Sequence, residues 1–321
     1  MKKENPAKKF EKCLDISDRF DLFFTERASY PLAVLFNKMG CSPNFVTVLG
    51  GLFGIAGAVL FVFNNLICTI IGIVLVILYA ILDCADGQVA RMSHKGSLFG
   101  RCLDGAIDSF VYVAIYLALG FRIMQQNIPF TDVLWNGWIF LIIVPFGLFI
   151  HAGQCRMADY YRNAHMYLSA SKRGNELSNS IDMAKVVNET KKFSFKRLVF
   201  SSYTSYTKAQ ERSTPKLQKL LGLIRENGGV IPEEVSTYYR SESNKIARLA
   251  NALVFNVRSY LLFALLLLGW EVWLFPIVLL TLEPIKIFLV VKYEKIAQKA
   301  TGVMEEALKK ETNIDEKREE I

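Results

Sequence analysis

The chain has 321 residues, of which 52% are hydrophobic, and its mean hydropathy is +0.26. Its formal net charge is nevertheless +8 at pH 7. A soluble core does not need so large an apolar share, so these totals exclude an ordinary soluble domain and favour a membrane protein with charged flanks. We expect membrane lipid, and not nucleic acid, to be the partner of the basic flanks.

Residues 1–42 form the first segment. Within 10–42, apolar residues such as Leu14, Phe20 and Phe36 recur at roughly helical intervals among charged residues. This pattern is typical of an amphipathic helix that lies in a membrane interface. We therefore predict an N-terminal cytoplasmic, interfacial segment.

Six later segments are long and apolar enough to cross a bilayer, which takes about 20 residues. They predict an all-α integral membrane protein with six transmembrane helices. Four spans fall within residues 43–155 and two within 251–291. The predicted spans are 45–63, 66–90, 101–121, 133–154, 251–270 and 272–291.

Residues 156–250 interrupt the apolar pattern. They hold 17 Lys and Arg against 9 Asp and Glu. Lys216–Glu226 and Glu233–Arg248 show helical periodicity, so we predict a partly helical cytoplasmic insertion near the membrane. Whether it is a subdomain or a solvated spacer stays open. Residues 292–321 form a charged C-terminal tail, interpreted as a solvated helix or coiled-coil stub.

Lys and Arg also set the predicted orientation. They accumulate at both termini, in 91–101 and in 156–250, whereas the other connections carry few. Cytoplasmic connections carry the excess of Lys and Arg, so these regions are predicted to be cytoplasmic. We favour a bacterial cytoplasmic membrane over an internal eukaryotic membrane.

Four aspartates lie at one end of two predicted spans. Asp83 and Asp86 close the second span, and Asp104 and Asp108 open the third. Spacings of three and four place each pair on one helix face, and the short connection makes the helices antiparallel neighbours. An Asp at the bilayer centre costs about 2.5–3.5 kcal/mol. A divalent cation would compensate for this cost. Hard oxygen ligands suit Mg²⁺, Mn²⁺ or Ca²⁺, of which we expect Mg²⁺ or Mn²⁺, and bridging carboxylates have room for two ions that clamp a diphosphate.

Small residues accompany these acids. Gly87 and Ala90 leave room for close approach, Gly100 gives space opposite, and Arg91 can reach a phosphate with its planar donor fork. The alternative interpretation is that the small residues pack two helices and Arg91 reaches the lipid headgroups.

The spacing of these residues resembles the signature of the CDP-alcohol phosphotransferase (CDP-alcohol phosphatidyltransferase) family. The stretch from Ser42 to Thr47 is also similar to that family. The matching positions are Asp83, Asp86, Gly87, Ala90, Arg91, Gly100, Asp104 and Asp108.

The resemblance implies roles by position. The first three aspartates (Asp83, Asp86 and Asp104) would bind the divalent metals, and Asp108 would lie beside the metals and act as general base. Three further residues would lie along the CDP moiety, and the protein would be a homodimer. The CDP-binding residues implied are Gly87, Ala90 and Arg91.

The resemblance leaves two reactions open. CDP-diacylglycerol donates a phosphatidyl group to a small alcohol, with release of CMP, or a soluble CDP-alcohol donates its head group to a lipid hydroxyl such as that of diacylglycerol. A compact six-span chain favours the first.

The acceptor is also open. Arg156 and Arg162 follow the fourth span, and Arg156 either binds an acceptor phosphate or serves as a positive-inside anchor. Ser109 follows the last aspartate, as in relatives that transfer choline or ethanolamine phosphate. The relatives that use inositol phosphate have arginine at this position, so Ser109 argues against a phosphorylated acceptor.

Two alternatives lie outside this family. A membrane prenyltransferase would show two separated Asp-rich motifs and more spans. A cation transporter would carry acids near the midplane of several spans. The single acidic cluster on two spans argues against both alternatives. Glu283 lies outside that cluster, and we interpret Glu283 and Pro284 as the position of a kink in the sixth span.

Overall fold

The computed structural model describes residues 25–169 and 177–319. Within these ranges the chain is helical and contains no β-strand, only an isolated bridge between Asn127 and Leu134. The prediction of an all-α membrane protein is therefore confirmed. The part of the predicted N-terminal amphipathic segment that falls within residues 1–24 lies outside the described residues.

Eleven helices, numbered here in chain order, make up the described ranges. Short 3₁₀ turns at Asn251–Leu253 and Glu271–Trp273 precede the last two. The helices are α1 Thr25–Lys38, α2 Pro43–Phe61, α3 Leu66–Ser93, α4 Leu98–Ile123, α5 Asn136–Leu168, α6 Ser180–Glu189, α7 Phe195–Arg212, α8 Pro215–Glu226, α9 Glu233–Ala250, α10 Phe255–Leu268 and α11 Leu274–Glu319.

Five helical segments of the described chain are long and apolar enough to cross a membrane: α2, α3, α4, α5 and Glu271–Lys310. The predicted span 251–270 instead contains α10, with 14 residues. At 1.5 Å per residue α10 is about 21 Å long, shorter than a hydrocarbon core of about 30 Å. Extended backbone at Val254 separates it from the preceding turn. The six-span count stays a prediction.

Polar caps fix the helix ends that face the acidic residues. The Oγ atom of Ser42 accepts a hydrogen bond from the Phe45 amide at 3.2 Å, and the Oγ atom of Ser97 accepts one from the Gly100 amide at 3.0 Å. His94, with a φ of 54°, ends α3 in the left-handed region. These local signals place the end of α3 beside the start of α4 at one membrane boundary.

Close helix packing draws α2 onto its two neighbours. A Cβ atom added to Gly57 would lie 2.7 Å from the carbonyl oxygen of Gly72 on α3, and one added to Gly54 would lie 2.8 Å from Val111 on α4. Small residues of this kind allow membrane helices to approach each other closely. The approach carries the start of α2 to the acidic end of α3 and α4.

Helix α1 packs at the same end of the bundle. Its Ala33 is fully buried in a cluster with Val46, Leu82 and Ala85. The amide of Gln88 on α3 also donates to the Ser29 hydroxyl at 2.9 Å. The described part of the N-terminal segment is therefore attached to α2 and α3.

A buried ion pair fastens the opposite end of the bundle. The Nε atom of Arg122 lies 2.6 Å from Glu271, and both side chains are buried. Arg122 also donates to the Phe63 carbonyl at 3.0 Å and to the Thr69 hydroxyl at 2.9 Å. This network ties the ends of α2, α3 and α4 to the start of α11.

The insertion folds as four helices, α6 to α9, and builds a second core. Helix α11 runs through position 291 without a break, and Ile296, Ala297, Ala300 and Met304 beyond that point are buried. The sequence predicted a solvated helix or coiled-coil stub here, so the helix is present but one of its faces is covered. The difference arises because the insertion covers this face of α11. The buried cluster comprises Tyr160, Ala164, Leu168, Leu217, Leu220, Leu221, Ile224, Val235, Tyr239, Ile296, Ala297, Ala300 and Met304.

Candidate metal and substrate site

Three carboxylates converge where α3 ends and α4 begins. Asp83, Asp104 and Asp108 are half-buried, and each offers one oxygen that lies within 4.8 Å of the others. Carboxylate oxygens are the hard ligands that Mg²⁺ and Mn²⁺ prefer. The donor set therefore fits a divalent cation.

Asp86 has a different environment. It is 6% exposed, and its carboxylate accepts a hydrogen bond from the Thr47 hydroxyl on α2. Three residues along an α-helix rotate a side chain by about 60° from the first, so Asp86 faces α2 more than Asp83 does. It lies outside the group of three, and its role as a metal ligand stays a prediction.

Tyr79 is a site residue that the sequence analysis missed. Its hydroxyl donates a hydrogen bond to the Asp108 carboxylate across the helix pair. Tyr79 lies one turn before Asp83 on the same face of α3, and that spacing is the signal that points to it. A partner of this kind orients the carboxylate.

The predicted CDP-binding residues continue the face of α3 that carries Asp83. Gly87, Ala90 and Arg91 follow it at four, seven and eight residues, which is helical spacing. A Cβ atom at Gly87 would lie 3.4 Å from an Arg91 guanidinium nitrogen. The missing side chain therefore lets Arg91 fold back beside the acids.

The two glycines of α4 near the site have different surroundings. A Cβ atom at Gly100 would lie 2.8 Å from the Asn44 side-chain oxygen, so this position packs against the start of α2. A Cβ atom at Gly105 would meet nothing within 4 Å. Gly105 is exposed and follows Asp104 directly in the chain, so no neighbouring helix covers this position.

The predicted acceptor residues lie on the last turns of α5. Arg156 is half-buried, and its Nε atom is buried without a hydrogen-bond partner among the described residues. Arg162 is also half-buried and lies about one and a half turns further on.

The insertion touches this same turn of α5. Gln210 on α7 donates to the Arg156 carbonyl at 3.2 Å and to Asp159 at 3.4 Å, and Tyr206 donates to Asp159 at 3.5 Å. Burial, and then the Asp159 carboxylate, raises the pKa of Tyr206 well above its usual value, so the phenol stays a donor.

Arg258 is a second residue that the sequence analysis missed. It is 3% exposed on α10 and donates to the Gln154 amide oxygen at 3.1 Å and to the Leu253 carbonyl at 2.5 Å. Gln154 in turn donates to Glu283 at 2.9 Å, and Glu283 pairs with Lys286. An arginine inside a predicted span is the signal that marks this network.

The part of the chain that carries the acidic residues is similar to a known family. Residues 41–172 match the family described as CDP-alcohol phosphatidyltransferase. The match contains α2 to α5 and all eight signature residues. This part of the chain is therefore similar to the CDP-alcohol phosphatidyltransferase family, and the resemblance predicted from the sequence is confirmed.

Two curated relatives are similar to part of the chain. An uncharacterized protein of Aquifex aeolicus is 32% identical over 97 residues, which is 30% of this chain and 48% of the relative. A phosphatidylinositol phosphate synthase of Streptomyces avermitilis is 34% identical over 94 residues, 29% of this chain and 37% of the relative. The matched segment thus spans less than half of either relative. No solved structure matches the chain.

Proposed function

We propose that this protein transfers a phosphatidyl group from CDP-diacylglycerol to a small alcohol and releases CMP. The observation that carries the proposal is the convergence of Asp83, Asp104 and Asp108 at one end of a membrane-embedded helix pair. A site at this boundary is accessible to a donor held in the bilayer and to an acceptor dissolved in water.

The carboxylates would hold the metal. Asp83, Asp86 and Asp104, with Asp108 beside them, provide oxygen donors for two Mg²⁺ or Mn²⁺ ions. When bound, such ions neutralise the diphosphate and the departing CMP. Arg91, with room made by Gly87 and Ala90, would contact the CDP phosphates as a cationic donor.

The transfer balances as a single displacement at phosphorus. The acceptor hydroxyl oxygen forms a bond to the phosphorus that carries diacylglycerol, and the diphosphate P–O bond to CMP breaks. CMP leaves with that electron pair, and the hydroxyl proton passes to the Asp108 carboxylate. The Tyr79 hydroxyl, which donates to Asp108, holds the base in position.

The acceptor is proposed to carry a phosphate that Arg156 binds, with Arg162 as a further contact. The buried Nε atom of Arg156, which has no partner within the described ranges, supports this role. The relative from Streptomyces avermitilis, named as a phosphatidylinositol phosphate synthase, supports it as well. The hydroxyl of Ser109 is engaged within α4, because it donates to the Gly105 carbonyl at 2.8 Å. We therefore assign phosphate recognition to the two arginines of α5.

Location and assembly are part of the proposal. The excess of Lys and Arg in 156–250 supports a cytoplasmic active site. The family resemblance supports a homodimer, and a bacterial cytoplasmic membrane is proposed as its location.

The donor experiment uses the purified full chain in detergent with Mg²⁺ or Mn²⁺. CDP-diacylglycerol is supplied with phosphorylated and unphosphorylated alcohols, and soluble CDP-alcohols are supplied with diacylglycerol, while CMP release is followed. We expect CMP release with CDP-diacylglycerol and an acceptor alcohol, and no release with the soluble CDP-alcohols. EDTA should abolish this release, and added Mg²⁺ or Mn²⁺ should restore it. Release only from a soluble CDP-alcohol would establish the second reaction, and no release from any donor would overturn the proposal.

The acceptor experiment compares Arg156→Gln with Lys208→Gln, which changes an exposed cation of α7. We expect Arg156→Gln to raise the KM for a phosphorylated acceptor about tenfold or more, since a charge-assisted phosphate contact is lost. Lys208→Gln should leave KM unchanged. Equal KM values for wild type and Arg156→Gln would remove Arg156 from the acceptor site.

A further inference from the structure

The connection between α6 and α7 presents apolar side chains outward. Phe193 is fully exposed and has a φ of 61°, and Phe195 and Leu198 are 62% and 65% exposed. A bulky residue in the left-handed region is uncommon, because its Cβ crowds the backbone. The chain thus strains its backbone locally at a side chain that contacts no core.

Cations surround these apolar residues. Lys191, Lys192 and Lys196 are exposed, and residues 191–198 contain no acid. Arg197 instead donates to the Val187 and Thr190 carbonyls at 2.7 and 3.0 Å, so it fixes the shape of the turn. We call residues 191–198 the basic-aromatic tip.

The inner side of the same hairpin is packed on a transmembrane helix. Cys102 of α4 is buried in a cluster with Met183, Val199 and Phe200. The rings of Phe99 and Phe200 lie 5.9 Å apart at 84°.

A cation of the tip also contacts α4. The Lys196 ammonium nitrogen lies 5.4 Å from the centroid of the Phe99 ring. Phe99 belongs to the first turn of a helix that spans the membrane, so this contact places the tip at the level of the lipid headgroups.

We propose that the basic-aromatic tip docks into the lipid leaflet beside α4 and selects anionic lipid. Phe193, Phe195 and Leu198 would enter the boundary between headgroups and acyl chains, while the lysines bind headgroup phosphates. Apolar side chains flanked by cations are the composition that binds anionic membrane surfaces. This role is independent of the proposed transfer reaction.

Charge argues against a second copy as the occupant. Two copies that met tip to tip about a two-fold axis would bring like-charged lysines together. An anionic surface has the complementary charge, and the leaflet that surrounds α4 is such a surface when it contains anionic lipid.

The test places a photoreactive benzoylphenylalanine at position 193 of the full chain. The protein is reconstituted in nanodiscs of phosphatidylcholine, with or without phosphatidylglycerol, irradiated and analysed by mass spectrometry. The control carries the same residue at Val230, which is 62% exposed in the α8–α9 connection, close in sequence to Glu233 and Glu234.

We expect at least about a tenfold excess of lipid adduct at position 193 over position 230, and preferential adducts with phosphatidylglycerol. Lipid adducts at equal yield at the two positions would show that the tip has no preferred contact with the lipid leaflet. A covalent dimer in place of the lipid adduct would show that the tip is an interface between two copies. Either result would overturn the proposal.

A charge reversal separates the electrostatic part. Lys192→Glu should reduce the phosphatidylglycerol adduct at position 193, whereas Lys208→Glu, on the same hairpin but outside the tip, should not. Both side chains are exposed, so thermal unfolding in detergent should be unchanged. Equal adduct yields for the two variants would contradict the selection of anionic lipid.

Discussion

The bundle of α2 to α5 and the core built by α8, α9 and α11 are packed through side chains of different size. In the bundle, Gly54 and Gly57 bring backbones together, because lipid tails give apolar helices no preference for one another. In the second core, Leu217, Leu220 and Ile224 are fully buried, because removal of apolar surface from water drives association there. The solvent therefore decides whether small or large side chains make the contact.

The two regions also use buried acids differently. In the bundle, Asp83, Asp104 and Asp108 share one space and repel one another unless a cation binds. In the second core, Glu294 of α11 accepts hydrogen bonds from the Lys216 and Leu217 amides at 2.8 and 3.3 Å, and so caps the start of α8. The acids of the bundle therefore cost stability, whereas Glu294 supplies it.

The largest expected effect is on the acidic cluster. Asp83→Asn should reduce CMP release about 10³-fold, because one charged ligand is lost, which corresponds to about 4 kcal/mol in the barrier. The unfolding temperature in detergent should be unchanged or higher, because the substitution relieves the repulsion between Asp83 and its two neighbouring carboxylates. The control is Asp182→Asn on α6, an exposed acid paired with Lys185. Retained activity in Asp83→Asn would remove it from the metal site.

The next effect concerns the second core. Leu220→Ala should destabilise α8 and α9 by about 3 kcal/mol, because Leu220 is fully buried and a cavity remains. Hydrogen exchange of the α8 and α9 amides measures this opening. Leu249→Ala, at a 37% exposed position of α9, serves as the control. Equal exchange in the two variants would show that the second core is not cooperative.

A matched pair of glycine substitutions tests the comparison directly. Gly57→Ala should cost about 2 kcal/mol, because the new methyl group meets a backbone oxygen at 2.7 Å. Gly222→Ala on α8 has open space and should gain about 1 kcal/mol of helix propensity. Thermal unfolding in detergent and hydrogen exchange of α8 measure the two changes. A change in stability of the same sign for both substitutions would refute the distinction between the two regions.

The smallest effect is at the cap of α8. Glu294→Ala should weaken the first turn of α8 by about 1 kcal/mol, since two amide donors lose their acceptor. Glu294→Gln keeps an acceptor but loses the charge, so about half of that loss is expected. Exchange rates of the Lys216 and Leu217 amides distinguish the two variants, and a loss of equal size in both would assign the effect to charge alone.

Several features followed from the sequence by itself. Apolar length predicted α2 to α5. The spacing of Asp83, Asp104 and Asp108 placed the acids at one end of two neighbouring helices. These properties depend on residues a few positions apart, and helix geometry relates such residues without reference to the rest of the chain.

Other features were decided only by the tertiary structure. Asp86 turns toward Thr47, Tyr79 reaches Asp108, and Arg258 enters the bundle from α10. The insertion also packs on the charged C-terminal segment, because α11 continues beyond position 291 and its apolar face contacts α8 and α9. Each of these contacts joins residues far apart in the chain, so it depends on how whole helices rotate and pack, which local spacing does not fix.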